Sequence, residues 1–139
     1  MTSRTSVGTS LGSRIESLFA AASAQDVEGL TALMHPDIVV IQPASLPWGG
    51  TYRGRNAFVG DLFAQMTADF EIGMDEVRVI DGGEVVAAQM TCAFTSRKTG
   101  QALRIPYVEV YEFADDLIRT ITVYPSDTKL LVDFLQAHA

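Results

Sequence analysis

Beyond residue 70 the chain is cut by turn signals that leave room only for long strands. Asp81-Gly82-Gly83, Arg97–Gly100 and Asp115-Asp116 separate four runs rich in β-branched and aromatic residues, at 71–80, 84–95, 103–113 and 117–124. Glycine accepts the positive φ that tight hairpins require, and strands joined by such short turns can only pair antiparallel. The second half therefore reads as a four-stranded antiparallel sheet. It ends in a helix from Asp127 to His138, with Leu130, Leu131, Phe134 and Leu135 expected to face inward.

The first half has a different period. Ser13 and Glu16 have capping-box spacing, and Ile15, Leu18, Phe19 and Ala22 follow as one helical stripe. Asp26 reads as the N-cap of a second short helix, which His35-Pro36-Asp37 breaks before a short strand, Ile38–Ile41. Pro47, Gly49, Gly50 and Gly54 mark a loop around Trp48 and Tyr52. A third helix is expected from Arg55 to Thr67, with Phe58, Leu62 and Met66 spaced four apart. Helices segregated from an antiparallel sheet define the α+β class. The architecture expected is a cone, in which the N-terminal helices pack on the concave face of a curved, mostly antiparallel sheet and leave a cavity. Residues 1–12 are small and polar and are expected to be mobile, leaving 13–139 as one domain; 139 residues suit a single domain.

Charge excludes some partners. The net charge is −7 and the cations are scattered, so neither nucleic acid nor an anionic membrane surface finds the clustered Lys and Arg it needs. There is neither a signal-peptide apolar stretch nor a transmembrane run, which leads us to expect a cytoplasmic protein. Cys92 is the only cysteine. It forms no internal disulfide and reads as a small apolar strand residue rather than a nucleophile, since no electropositive neighbour is evident. His35 and His138 stand apart, no cluster has metal-ligand spacing, and no nucleotide-binding or hydrolase motif occurs. Neither metal nor cofactor is expected.

The alternation along 103–113 singles out Glu109. Leu103, Ile105, Tyr107, Glu109, Tyr111 and Phe113 share one face; Arg104, Pro106, Val108, Val110 and Glu112 share the other. If the first face lines a pocket, Glu109 is its lone carboxyl. It must then stay protonated or find a partner, and a neutral acid there can act as a proton donor or acceptor. If Val108 and Val110 are the buried set, Glu109 lies in water. Asp127 is the second candidate: it either points into the cavity or simply caps the last helix. Trp48, Tyr52, Tyr107, Tyr111 and Tyr124 are candidates to line or cover a pocket, with Phe58, Leu62 and Met66 from the third helix. We expect entry past Trp48.

The segments LFAAASAQDVEGLTALMHPDIVVIQP, PWGGTYRGRNAF and VEVYEFADDLIRTITVYPSDT together resemble the SnoaL-like and ketosteroid-isomerase-like proteins of the nuclear-transport-factor-2-like superfamily, over roughly Ser13 to Leu135. The resemblance implies the cone fold and, commonly, a homodimer packed sheet against sheet. By position, Glu109 matches the isomerases' neutral oxyanion-binding acid. Gln42 stands where their base should be and Leu18 where their oxyanion tyrosine should be. An amide cannot abstract a proton. The polyketide cyclases of the family point instead to a carboxylate after the last strand, which Asp127 resembles. The implied function is cofactor-independent acid–base chemistry on a small lipophilic carbonyl compound, as a cyclase, isomerase or dehydratase, with Glu109 and Asp127 as the catalytic pair. The alternatives are a non-catalytic binder of a hydrophobic small molecule and a dimeric interaction domain with a filled core.

Overall fold

The computed structural model describes residues 10–139; positions 1–9 of the segment expected to be mobile lie outside them. Helix α1 (Leu11–Ser23) starts earlier than the Ser13 capping box suggests, because Ser10 is the cap. Its hydroxyl oxygen accepts the Ser13 N–H at 3.1 Å, and Glu16 is left exposed. Two serines three apart compete for the same role, and the earlier one adds nearly a turn of helix. Helix α2 (Val27–Ala32) begins at Asp26, whose carboxylate accepts the Gly29 N–H at 2.9 Å.

Strand β1 (Met34–Gln42) is longer than the β-branched run and includes His35 and Pro36. Strand β2 (Gly50–Arg53), inside the stretch read as loop, pairs antiparallel with it. Pattern reading missed β2 because four residues between glycines carry too few alternations to register. A π-helical segment (Asn56–Leu62) then runs straight into α3 (Phe63–Ala68) where one regular helix was expected. Strands β3 (Phe70–Asp81), β4 (Val85–Ser96), β5 (Ala102–Ala114) and β6 (Leu117–Pro125) form the antiparallel series, and α4 (Thr128–His138) closes the chain.

The strands build one curved six-stranded sheet in the order β2-β1-β6-β5-β4-β3. Only β1 and β6 run parallel, with Val40 beside Ile121 and Ile41 beside Thr122. A bulge in β3, where Glu76 holds a φ of 55°, shifts the register between Asp75 and Arg78 and bends that edge. Asp81 locks the far end of the same strand. Its carboxylate accepts the Gly83 N–H at 2.9 Å inside the β3–β4 turn and the Gly12 N–H at 3.1 Å from the first turn of α1. A Cβ at Gly12 would come within 2.6 Å of that carboxylate, so any side chain there would have to push the Asp81 carboxylate aside.

The core lies between the concave face and the helices: Ile15, Met34, Ile38, Leu62, Val86, Tyr111 and Ile118 are among its buried side chains. Helix α4 contributes Leu131 and Leu135, while Leu130, expected inward, is 48% exposed. No helix of the described residues is long and apolar enough to cross a membrane.

At the start of α4, Asp127 adopts extended backbone angles and its carboxylate accepts the Leu130 N–H at 3.0 Å. Replacing a cap of this kind costs about 1 kcal/mol. Asp127→Ala should lower the melting temperature by roughly 3–5 °C and Asp127→Asn should restore most of it, which a pair of calorimetric scans measures.

Candidate active site

The cavity between sheet and helices has a volume of about 390 Å³. Its floor is the inward set of five strands: Val40 and Gln42 of β1, Ile121 and Val123 of β6, Tyr107 and Glu109 of β5, Cys92 and Phe94 of β4, Ile72 and Met74 of β3. Leu18, Phe19 and Ala22 of α1 form one roof panel. Phe58, Val59 and Leu62 of the π-helical segment, with Met66 of α3, form the other. Hydrogen bonds spanning five residues instead of four widen that helix and bring Phe58, Val59 and Leu62 over the cavity together. Gln25, Val27, Thr67 and Met74 are the lining residues exposed to solvent, so the mouth lies between the start of α2, the end of α3 and β3.

The mouth is therefore not beside Trp48. That ring is 3% exposed and stacks on Phe94 with centroids 6.2 Å apart. It supports a wall from behind and lines nothing. Tyr52 donates to the Trp48 carbonyl at 2.8 Å and is likewise absent from the lining. Tyr124, on the opposite face of β6 from Val123, is 54% exposed. Asp127 is exposed at its cap and does not reach the cavity. Of the residues singled out from sequence, the fold gathers Glu109, Gln42, Leu18, Phe58, Leu62, Met66 and Tyr107 around one space. Tyr111 stands directly behind that space.

Glu109 sits at the centre of the floor. It pairs across the sheet with Ala88 on one side and Val123 on the other, and keeps some accessible surface only where it meets the cavity. The Tyr111 hydroxyl donates to its Oε1 at 2.6 Å. Burial holds the Glu109 carboxyl above its ordinary value, and the bond from Tyr111 opposes that without overcoming it. Burial likewise pushes Tyr107, Tyr111 and the Cys92 thiol up, with the Glu109 charge adding to each. All four groups are thus held toward their neutral forms. Cys92 stays a thiol, in keeping with its apolar reading.

Gln42 is 6% exposed, and its Oε1 makes no hydrogen bond. One step beyond the Ile41–Thr122 pair brings it level with Val123, and thus into the same cross-sheet row as Glu109. Two strand spacings, about 9–10 Å, separate their backbones. The sequence pointed to Gln42 only through family position; the short β-branched run ahead of it gave no sign that an amide would be buried. Cys92, Phe94, Ile121 and Val123 also escaped selection, although the period-two alternation of β4 and β6 carries that signal. Among the described residues, no three His, Cys, Asp or Glu side chains gather to hold a metal ion.

The raised Glu109 value fixes a pH dependence. The folded state holds the proton more tightly than the unfolded chain, so its contribution is fully present below the unfolded pKa and is lost as pH rises through the folded one. Wild-type melting temperature should fall across that window, and Glu109→Gln should flatten the profile. A wild-type profile as flat as that of the variant would place Glu109 in water.

Comparison with known proteins agrees with this geometry. Solved structures superpose over nearly the whole chain. An NTF2-like protein from Burkholderia xenovorans LB400 is 25% identical with a TM-score of 0.77, covering 93% of this chain and 95% of its own. A Pseudomonas putida KT2440 protein provisionally named a polyketide cyclase is 18% identical with a TM-score of 0.76, covering 91% and 98%. TerC, crystallised with polyporic acid, is 21% identical with a TM-score of 0.80, covering 91% and 99%. No curated protein matches the sequence significantly. The SnoaL-like domain profile matches residues 15–121, and the chain belongs to the SnoaL-like family of the NTF2-like fold.

Proposed function

We propose that the cavity binds a small lipophilic carbonyl compound and that Glu109, without a cofactor, transfers a proton at the carbonyl oxygen. One observation carries this reading: in a mostly apolar lining, Glu109 is the single carboxyl among the described residues, and burial raises its pKa and so favours the neutral acid. A neutral acid in such a place can donate to an oxygen as negative charge develops there, in surroundings where water does not compete. Cyclisation, isomerisation and dehydration all pass through such a charge. Gln42 occupies the position of the isomerases' base but cannot take a proton, which favours reactions driven by protonating an oxygen over base-initiated isomerisation. The polyporic acid crystallised with TerC supports a ligand site in this fold. Asp127, exposed and acting as a cap, has no part in the reading.

Gln42 also favours a second reading, in which the protein holds the same ligand without turning it over. Exchange of the carbonyl oxygen with solvent separates the two. Water adds to the carbonyl carbon as Glu109 protonates the oxygen, and loss of water from the hydrate returns that proton to the carboxylate. Lipophilic ketones incubated with the protein in oxygen-18 water should therefore take up the label, followed by mass spectrometry, and Glu109→Gln should slow the uptake by ~10²–10⁴-fold. Binding without any exchange above background would leave the carrier.

The family's sheet-to-sheet dimer is part of the proposal. Ile41, Val108, Val110 and Tyr124 occupy the outer face of the sheet, where Val108 pairs with Tyr124 and Val110 with Thr122. Sedimentation at micromolar concentration should report a dimer, and Val110→Arg, which places a like charge in both copies of this face, should yield the monomer.

A further inference from the structure

A carboxylic acid has two oxygens and one proton, so what binds one oxygen decides where the proton goes. In Glu109, Oε1 accepts the Tyr111 hydroxyl at 2.6 Å. The reverse polarity would leave the phenol proton without an acceptor, because Tyr111 is 0% exposed and makes no other hydrogen bond among the described residues. The neutral acid therefore carries its proton on Oε2. The two side chains stand on one face of β5, two residues apart, and Tyr111 lies behind the cavity rather than in it.

The rest of the lining bears on what that proton can meet. Among the described residues, no Lys, Arg or His reaches the cavity. The titratable groups facing Glu109 are Tyr107 and Tyr111 of its own strand and Cys92 of β4; β1, β3, β6, the two N-terminal helices, the π-helical segment and α3 contribute none to the lining. An anionic ligand would thus be desolvated with no counter-charge, beside a carboxyl whose own ionisation burial already disfavours.

We propose that Tyr111 is a positioning residue that turns the Glu109 proton into the cavity, and that the site in consequence accepts neutral ligands with an acceptor oxygen and rejects the matching carboxylates. The proposal rests on Glu109 being a neutral acid in a ligand cavity, as argued above.

Two probes on one ring system test it with the full chain: 2-acetylnaphthalene and 2-naphthoate, titrated by calorimetry from pH 5 to 9. The ketone should bind, weakening by roughly tenfold as pH rises through the folded Glu109 value and the donor is lost. The naphthoate should bind at least tenfold more weakly than the ketone at neutral pH. In Tyr111→Phe the carboxyl loses a bond that favours its ionised form, so the midpoint of the ketone's profile should move to higher pH. Glu109→Gln, which keeps a donor but cannot ionise, should give a flat profile. A merely structural role for Tyr111 would weaken binding at every pH and leave the midpoint in place, which overturns the proposal; naphthoate binding as tightly as the ketone does the same. If Tyr111→Phe does not fold, the naphthoate comparison and the wild-type profile against Glu109→Gln still decide. A ketone that binds at no pH overturns the underlying ligand reading as well.

Discussion

A strand with one face sealed cannot slip by a single residue, because the slip turns every side chain over. Strand β5 is held in this way by β4 from Ala102 to Glu112 and by β6 from Tyr107 to Ala114. Moved by one position, it would bring Arg104, Pro106 and Glu112 into the core and put Ile105 and the fully buried Tyr111 into water. Those apolar side chains fix the register, and the register carries Glu109 with it. The carboxyl is inward because its neighbours at two-residue spacing cannot be anywhere else. The price of that placement is desolvation, and the Tyr111 hydroxyl is the protein's partial compensation.

Much of this was legible in residue order, for a simple reason. The hairpins are local, their turns carry glycine or paired aspartates, and each strand of the second half is long enough for alternation to declare its faces. The Asp26 cap was equally plain, whereas Asp127 read both as a cap and, through the family resemblance, as half of a catalytic pair. The misses share a cause as well. Trp48 and Tyr52 sit among glycines, the usual setting of an exposed loop, yet the antiparallel pairing of β1 with β2 folds that loop inward and buries the indole. The π-helical segment leaves no mark in apolar spacing, because Phe58, Leu62 and Met66 fit an α-helix equally well. The parallel β1–β6 contact joins segments some eighty positions apart, and no local pattern encodes it.

Two polar atoms at this end of the molecule lack partners: Gln42 Oε1 and Trp48 Nε1. An unpaired buried amide or indole group costs about 1–3 kcal/mol. Leucine at position 42 would avoid that cost, so the amide is a departure from the best packing and falls in the row of the sheet that holds Glu109. Departures from local stability rules concentrate at functional sites. The cavity floor fits that description better than a core optimised for packing does.

The stacking of Trp48 on Phe94 gives the molecule an optical property. Trp48 is the only tryptophan in the chain, and its indole is separated from the cavity by the thickness of one phenyl ring that itself lines the space. Indole emission follows the polarity and rigidity of its immediate surroundings. A single fluorophore placed one ring behind the wall reads the occupancy of the chamber without touching the occupant, so the native protein is its own unlabelled gauge of filling.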